Sequence, residues 1–506
     1  MSNITRRQFL PALAASSVAI GLGIRSHAQS RPNILLITAD DMGIQAGCYG
    51  DNTIATPRID QLSSQGVQFM NGYVTQASCS PSRSSMFTGL YPHQTGQLGL
   101  EHRGYTMHWN TPTLPKMLKA AGYRSQAVGK IHVRPYEDLP FDQVVGREQG
   151  LDRRDVVGYE QHISQFVAQG EGPWFVLASF TDPHKPFRGP VKGLPEDPID
   201  PAQLEPWPEH GAFDTPEVRK ERAGYYDAVK RVDIGTGLLM DMLDRKGLSD
   251  NTLVIFVGDH GPPVSRGKTT CYEFGTKIPY IVRWPGMTEG KQSDAFVSTV
   301  DIMPTCLAAA GIPMPEMTAG RSLALFRSGT PDRWRDHVFT EFTTHGPGFS
   351  PQRAVRDRRY KLIHNLLPGE PKRGIGVDGC PIKGLIDDPR FADTETRCVY
   401  DRMVKAPAFE LYDLEKDPLE WHNLAGDMSV SAVETALKST LMTWREASGD
   451  PLLDQAYFDR LKAHTDNHTS AYQAARAKAE ADGSERPYNR IDMTGFQETF
   501  PPVSMR

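Results

Sequence analysis

Short β-rich apolar runs alternate with helix-patterned segments along most of this chain. That alternation predicts an α/β fold with a large, mostly parallel sheet sandwiched between helices. Candidate strands lie at residues 33–38, 125–128, 174–180, 252–257 and 279–283. Between them, Thr111-Pro112 opens a helix carrying Leu114, Met117, Leu118 and Ala121 on one face, and Gly122 ends it. A longer helix is predicted over 216–246, with Val229, Val232, Leu239, Met242 and Leu243 as its apolar stripe. These stripes are core.

The predicted strands run into polar groups. Asp40-Asp41 follows ILLITA, Lys130 and His132 follow QAVG, Thr181-Asp182-Pro183-His184 follows FVLASF, and Asp259-His260 follows LVIFVG. In open α/β sheets, ligands bind outside the carboxyl ends of the strands. Taken singly, each group has an ordinary explanation, such as a helix cap or a Pro-rich turn. Four strands delivering such groups to one edge point to a site. Carboxylates gathered as Asp40, Asp41 and Asp259 repel one another unless a cation neutralises them, so a divalent metal is expected. Oxygen ligands favour Ca²⁺ or Mg²⁺, while His260 leaves Mn²⁺ or Zn²⁺ open. Three carboxylates and one divalent ion retain a negative charge, so an anionic substrate would need Arg83, Lys130 and Lys268.

In ASCSPSRSSMFTG, Ser80 reads as an N-cap, Pro81 as the first helical residue and Gly89 as the stop. Cys79 then stands at the positive end of a helix, with Arg83 one turn in, where a thiol is activated beside an anion. The ordinary alternative is a buried structural cysteine. The other cysteines form no framework: Cys48, Cys271 and Cys306 read as small buried hydrophobes, and Cys380 and Cys398 are placed to pair in an oxidising compartment.

The first 28 residues have the order of an export signal: a basic start, an apolar run over 9–24 too short to be a stable membrane anchor, and Ser26-His27-Ala28 as the exit. Thr5-Arg6-Arg7-Gln8-Phe9-Leu10 looks like a twin-arginine signal, which predicts a periplasmic or secreted protein. A net charge of -5 argues against a nucleic-acid partner. The expected division is a catalytic domain over 29–345, a smaller α+β domain with an antiparallel sheet over 346–450, and a helical extension with a coil tail over 451–506. The smaller domain has strand-like runs at 353–365 and 409–414 and a long loop at 366–408; in the extension a helix is predicted around 473–481.

Cys79-Ser80-Pro81-Ser82-Arg83 with Thr88-Gly89 resembles the first signature of the sulfatase family, and Gly129-Lys130-Ile131-His132 is similar to its second. The likeness extends in order to Asp40-Asp41, Asp182-Pro183-His184, Gly258-Asp259-His260-Gly261 and Glu410-Leu411-Tyr412-Asp413-Leu414. It implies an alkaline-phosphatase-like fold, Cys79 oxidised to formylglycine by a formylglycine-generating enzyme, and one Ca²⁺ held by Asp40, Asp41, Asp259, His260 and the modified Cys79. By the same resemblance, Arg83 and Lys130 hold the formylglycine hydroxyl and metal-side charge, and His132 accepts a proton from the second hydroxyl. His184 and Lys268 bind the sulfate and protonate the leaving group. Within the family the chain is most similar to the heparan N-sulfatase (sulfamidase) branch, which carries Arg at the position of Lys268 and Asn at that of His260. The substrate class implied is a sulfated carbohydrate, O- or N-sulfated. The alternatives are a phosphomonoester or phosphonate hydrolase on the same sheet, and a glycan-binding protein with an unconverted Cys79.

Overall fold

β1 (Asn33–Ala39) is buried at every residue, and its sequence accordingly runs apolar almost without interruption. The computed structural model describes residues 31–287, 290–329, 331, 334–346, 348–371, 377–485 and 487–497. The export-signal segment, 1–28, lies outside them. β2 (Val67–Tyr73), β3 (Arg124–Gly129), β4 (Gln143–Val145), β5 (Trp174–Phe180), β6 (Thr252–Gly258), β7 (Lys277–Ile278), β8 (Tyr280–Arg283) and β9 (Lys291–Ser298) complete a nine-stranded sheet. Its order is β4-β3-β5-β1-β6-β8-β2-β7, with β9 alongside β2. The stretch β4-β3-β5-β1-β6 is parallel throughout, while β8 joins β6 and β2 antiparallel. A mixed, mostly parallel sheet is what the sequence pattern predicts.

Successive residues of each strand face opposite layers. Leu35, Ile37, Val176, Ala178, Val254 and Phe256 pack in one core with the helices Val156–Val167 and Pro216–Arg245. Ile34, Leu36, Phe175, Leu177, Leu253 and Ile255 pack in the other with Cys79–Thr88, Leu114–Ala120 and Ile302–Ala310. Each fully buried aliphatic or aromatic side chain contributes about 1.5–3 kcal/mol. The register is what places the site: Ala39 lies opposite Phe180 and Gly258, and Gly129 opposite Ser179. Four neighbouring strands thus end at one level. At Gly129 (φ 95°) a Cβ would meet the Ser179 carbonyl at 2.1 Å, so only glycine allows the chain to leave β3 there.

A second, antiparallel sheet runs β10 (Val338–Phe342), β11 (Gln352–Arg356), β12 (Tyr360–Asn365) and β13 (Phe409–Asp413). The helix Ser431–Ala447 covers it through Leu437, Leu441 and Trp444. The run expected as one strand over 353–365 is a hairpin: Asp357 Oδ1 accepts from the backbone N–H groups of Arg359 (2.8 Å) and Tyr360 (2.6 Å) and turns the chain. The loop at 366–408 contains the helix Glu395–Val404, and the helix expected around 473–481 is the end of a longer one, Gln455–Asp482. Cys380 and Cys398 are not paired. Cys380 is buried against Ser265 and Glu221, whereas Cys398 is exposed on its helix. No described helix is long and apolar enough to cross a membrane.

Candidate active site

The helix carrying the cysteine starts at Cys79 itself, two residues before the Pro81 that its composition suggests, with the extended Ser78 before it. Ser80 is therefore inside the helix, and its hydroxyl accepts from the backbone N–H of Glu101 at 2.9 Å instead of capping. Gly89, at φ 68°, closes the helix as expected. All ten of its residues are buried, polar ones included; Ser84 Oγ donates to the Pro81 carbonyl (2.7 Å) and Thr88 Oγ1 to the Ser84 carbonyl (2.7 Å). At its mouth Cys79 Sγ lies 3.4 Å from His260 Nε2 and 3.9 Å from Asp41 Oδ1.

One turn on, the buried Arg83 guanidinium links the four strand ends. Its Nε donates to Asp259 Oδ2 (2.9 Å), and Nη1 donates to Ser179 Oγ (2.7 Å) and to the Lys130 carbonyl (2.9 Å). Nη2 lies 3.4 Å from Asp40 Oδ1. Lys130 Nζ donates to both Asp40 oxygens, at 2.8 and 2.7 Å. Burial alone would raise the Asp40 carboxyl, but Lys130, His184 and Arg83 hold it well below the ordinary range. Asp259 shifts upward, because burial and the Asp40 charge together outweigh Arg83.

Lys268 reaches the same centre from the loop after β6. Its Nζ lies 3.1 Å from Asp41 Oδ1, 2.9 Å from Asp378 Oδ2 and 3.4 Å from His184 Nε2. Although burial opposes its charge, the Asp41 and Asp378 carboxylates keep it protonated well above the lysine range. His184 Nδ1 faces the Lys185 carbonyl, which only accepts, so Nδ1 carries a proton and Nε2 is the atom facing the site. Burial lowers its pKa but Asp41 raises it further, to about 9. His132, expected among these groups, sits at their edge in a left-handed conformation (φ 59°), with Nε2 at 2.8 Å from His102 Nδ1.

The donor set fits a divalent cation. Asp40, Asp41 and Asp259 offer oxygens within 4.8 Å of one another, and Cys79, Asp259 and His260 form an overlapping group. His260 Nδ1 lies 2.9 Å from the Gly261 carbonyl and must donate to it. Its Nε2 is left facing Asp41 Oδ1 at 3.1 Å, lone pair toward carboxylate, unless it takes a second proton or a cation stands between them.

The ten residues singled out from the sequence converge on this edge, with His132 outermost. Four groups were not foreseen. Ser179 orients Arg83 and accepts from Thr38 Oγ1 (2.9 Å). His345 Nδ1 lies 2.8 Å from Ser78 Oγ, and Asp378 and His102 complete the set. Asp378 and His345 come from beyond β9, in segments whose composition only marks them as loops; the Glu101-His102 pair beside a glycine-rich turn was the one legible signal.

A sulfatase family model matches residues 32–312, and a model for the C-terminal part of N-sulphoglucosamine sulphohydrolase matches 265–370. The N-sulphoglucosamine sulphohydrolase of Homo sapiens is 31% identical over 495 residues, covering 87% of this chain and 94% of the human one. A protein solved in complex with its substrate D-glucosamine-2-N,6-O-disulfate superposes with a TM-score of 0.63 at 20% identity, over 83% of this chain and 99% of its own. The phosphonate monoester hydrolase of Agrobacterium radiobacter has the same fold, with a TM-score of 0.62 at 21% identity over 83% of this chain and 96% of its own.

Proposed function

Given that the chain belongs to the sulfatase family, we propose that this sulfuric ester hydrolase acts on O- or N-sulfate groups of a sulfated carbohydrate, with formylglycine at position 79. The observation that carries the reading is the convergence of Cys79, three buried carboxylates and three buried or half-buried cations on the ends of β3, β5, β1 and β6.

Asp40, Asp41, Asp259, His260 and residue 79 would hold one Ca²⁺, which when bound supplies Lewis-acid polarisation of the sulfate and of the nucleophile. The hydrate of formylglycine supplies the attacking hydroxyl that a thiol does not offer. Lys268, kept charged by its two carboxylates, binds a sulfate oxygen. His184 presents Nε2 to the leaving group and donates the proton there, while its Nδ1–H stays anchored on the Lys185 carbonyl. Arg83 and Lys130 fix the carboxylates, so that the cage does not collapse or protonate. His132 accepts the proton whose loss expels sulfate and regenerates the aldehyde.

The same reading includes conversion of Cys79 by a formylglycine-generating enzyme, export on the twin-arginine signal to the periplasm, and the division at 345/346 and 450/451. The mass of the tryptic peptide containing Cys79, taken from enzyme that turns over an aryl sulfate, tests it. The aldehyde is expected; an intact thiol in active enzyme refutes the mechanism. The shared fold of the phosphonate monoester hydrolase makes an aryl phosphate the competing substrate, and a higher kcat/KM on it would overturn the sulfatase assignment.

A further inference from the structure

His132 is half-buried, and its two ring nitrogens are treated differently. Nδ1 is buried without a hydrogen-bond partner among the described residues, whereas Nε2 lies 2.8 Å from His102 Nδ1, the rings near parallel at 13°. One proton serves that contact. If it belonged to His102, His132 would carry its own proton on Nδ1, leaving a buried N–H with nothing to bond. If it belongs to His132, Nδ1 is a free lone pair, on a ring within electrostatic reach of Lys130, Asp40 and Arg83. The second arrangement leaves no buried donor unsatisfied and makes His132 a base.

We propose that His102 is a positioning residue that fixes His132 in the Nε2–H tautomer, so that Nδ1 is its proton-accepting atom. This deepens the proposed function and rests on it.

The loop bearing His102 is held from two sides. The Glu101 N–H donates to Ser80 Oγ in the Cys79 helix, and the Glu101 carboxylate is held by Arg134 and lies 3.9 Å from His132 Nε2. On the other side the C-terminal strap holds it: Tyr488 Oη donates to the His102 carbonyl (2.8 Å), and the Ile491 N–H donates to the Arg103 carbonyl (2.8 Å). At Gly104, in a left-handed conformation (φ 103°), a Cβ would meet the Ile491 carbonyl at 1.9 Å, so the strap seats only over glycine. Charge supports the neutral pair. Burial and Arg103 lower His102 to about 4 against the pull of Glu101, with Lys130 and Lys268 acting the same way, and burial and Lys130 hold His132 well below the histidine range. Neither ring competes for protons near neutrality, so the hydrogen bond alone selects the tautomer.

The direct test is on the wild-type protein, labelled with ¹⁵N-histidine, with the His132 signals assigned by their loss in His132→Asn. Nε2 protonated and Nδ1 bare is the expected pattern; the reverse overturns the proposal. That measurement needs no turnover, so it stands apart from the test of sulfatase activity. In active enzyme, His102→Leu removes the acceptor, and kcat should fall about 10²-fold with KM changed less than threefold. His102→Asp places an acceptor-only oxygen near the Nδ1 position and should recover to within about tenfold of wild type. Equal losses in both variants, or His102→Leu within threefold of wild type, would refute the positioning role. A melting temperature measured for each variant separates these outcomes from loss of fold.

Discussion

Replacing Arg83 with methionine removes one buried guanidinium and leaves its partners in place. At 1% exposure, Arg83 gives up charge-assisted hydrogen bonds to Asp259, Ser179 and the Lys130 carbonyl, and a long contact with Asp40. Each bond from a charged group is worth about 1.5–3 kcal/mol, so the three together come to about 5 kcal/mol at the low end. That agrees with the roughly 3–5 kcal/mol cost of stripping one partner from a buried ion pair. The charge count adds a condition. Without a cation, Asp40, Asp41, Asp259 and Asp378 face Arg83, Lys130, Lys268 and His184, four against four; the substitution leaves four against three. A divalent ion bound to the same carboxylates compensates. The penalty should therefore be largest in chelator and shrink in excess Ca²⁺, a non-additivity expected only when two groups share partners. Urea unfolding midpoints of wild type and Arg83→Met, each with chelator and with Ca²⁺, measure it. An unchanged midpoint in chelator, or the same penalty in both conditions, would refute the reasoning.

Chelation should abolish turnover and added Ca²⁺ should restore it, while Asp259→Ala should stay inactive at any cation concentration; activity surviving in that variant would break the assignment of the cage. Asp182, which receives Arg231 at 2.7 and 3.2 Å and Arg154 at 2.9 Å, is a strut under His184. Asp182→Ala should cost about 3–5 kcal/mol by leaving two arginines unpaired, read as a lowered unfolding midpoint. Burial holds His210 down to about 3 against 6.5 unfolded, so the unfolded chain binds the extra proton in that window and stability falls as pH drops from about 6.5 toward 3. His210→Phe, which keeps the edge-on packing against Trp207, should remove up to about 1.4 kcal/mol per pH unit of that slope. An identical acid slope in the variant would count against it.

Part of this protein is written locally. The unbroken apolar run of β1 and the Asp40-Asp41 that follows it are adjacent in the chain, as are β6 and Asp259-His260. The sheet class, its functional edge and seven of the ten site residues could be named because strand and ligand share a few consecutive positions, and hydrophobic patterning places both at once; Cys79, Arg83 and Lys268 were legible only through the helix-mouth motif and the family resemblance. Elements without that pattern were missed: β2 and β9 mix polar and apolar residues, and the hairpin at Asp357 depends on side-chain turn bonds inside an apparent strand.

What tertiary structure alone decided is which distant groups meet. Lys268 pairs with Asp378 across 110 residues, and His102 is held by Tyr488 across 386. No local propensity encodes such pairings; they follow from how the second sheet and the C-terminal strap pack onto the first sheet's edge. The sequence supplied the proton-handling residues, but which nitrogen of His132 carries the proton depends on a neighbour delivered by the fold, because a tautomer is set by the partner each nitrogen finds.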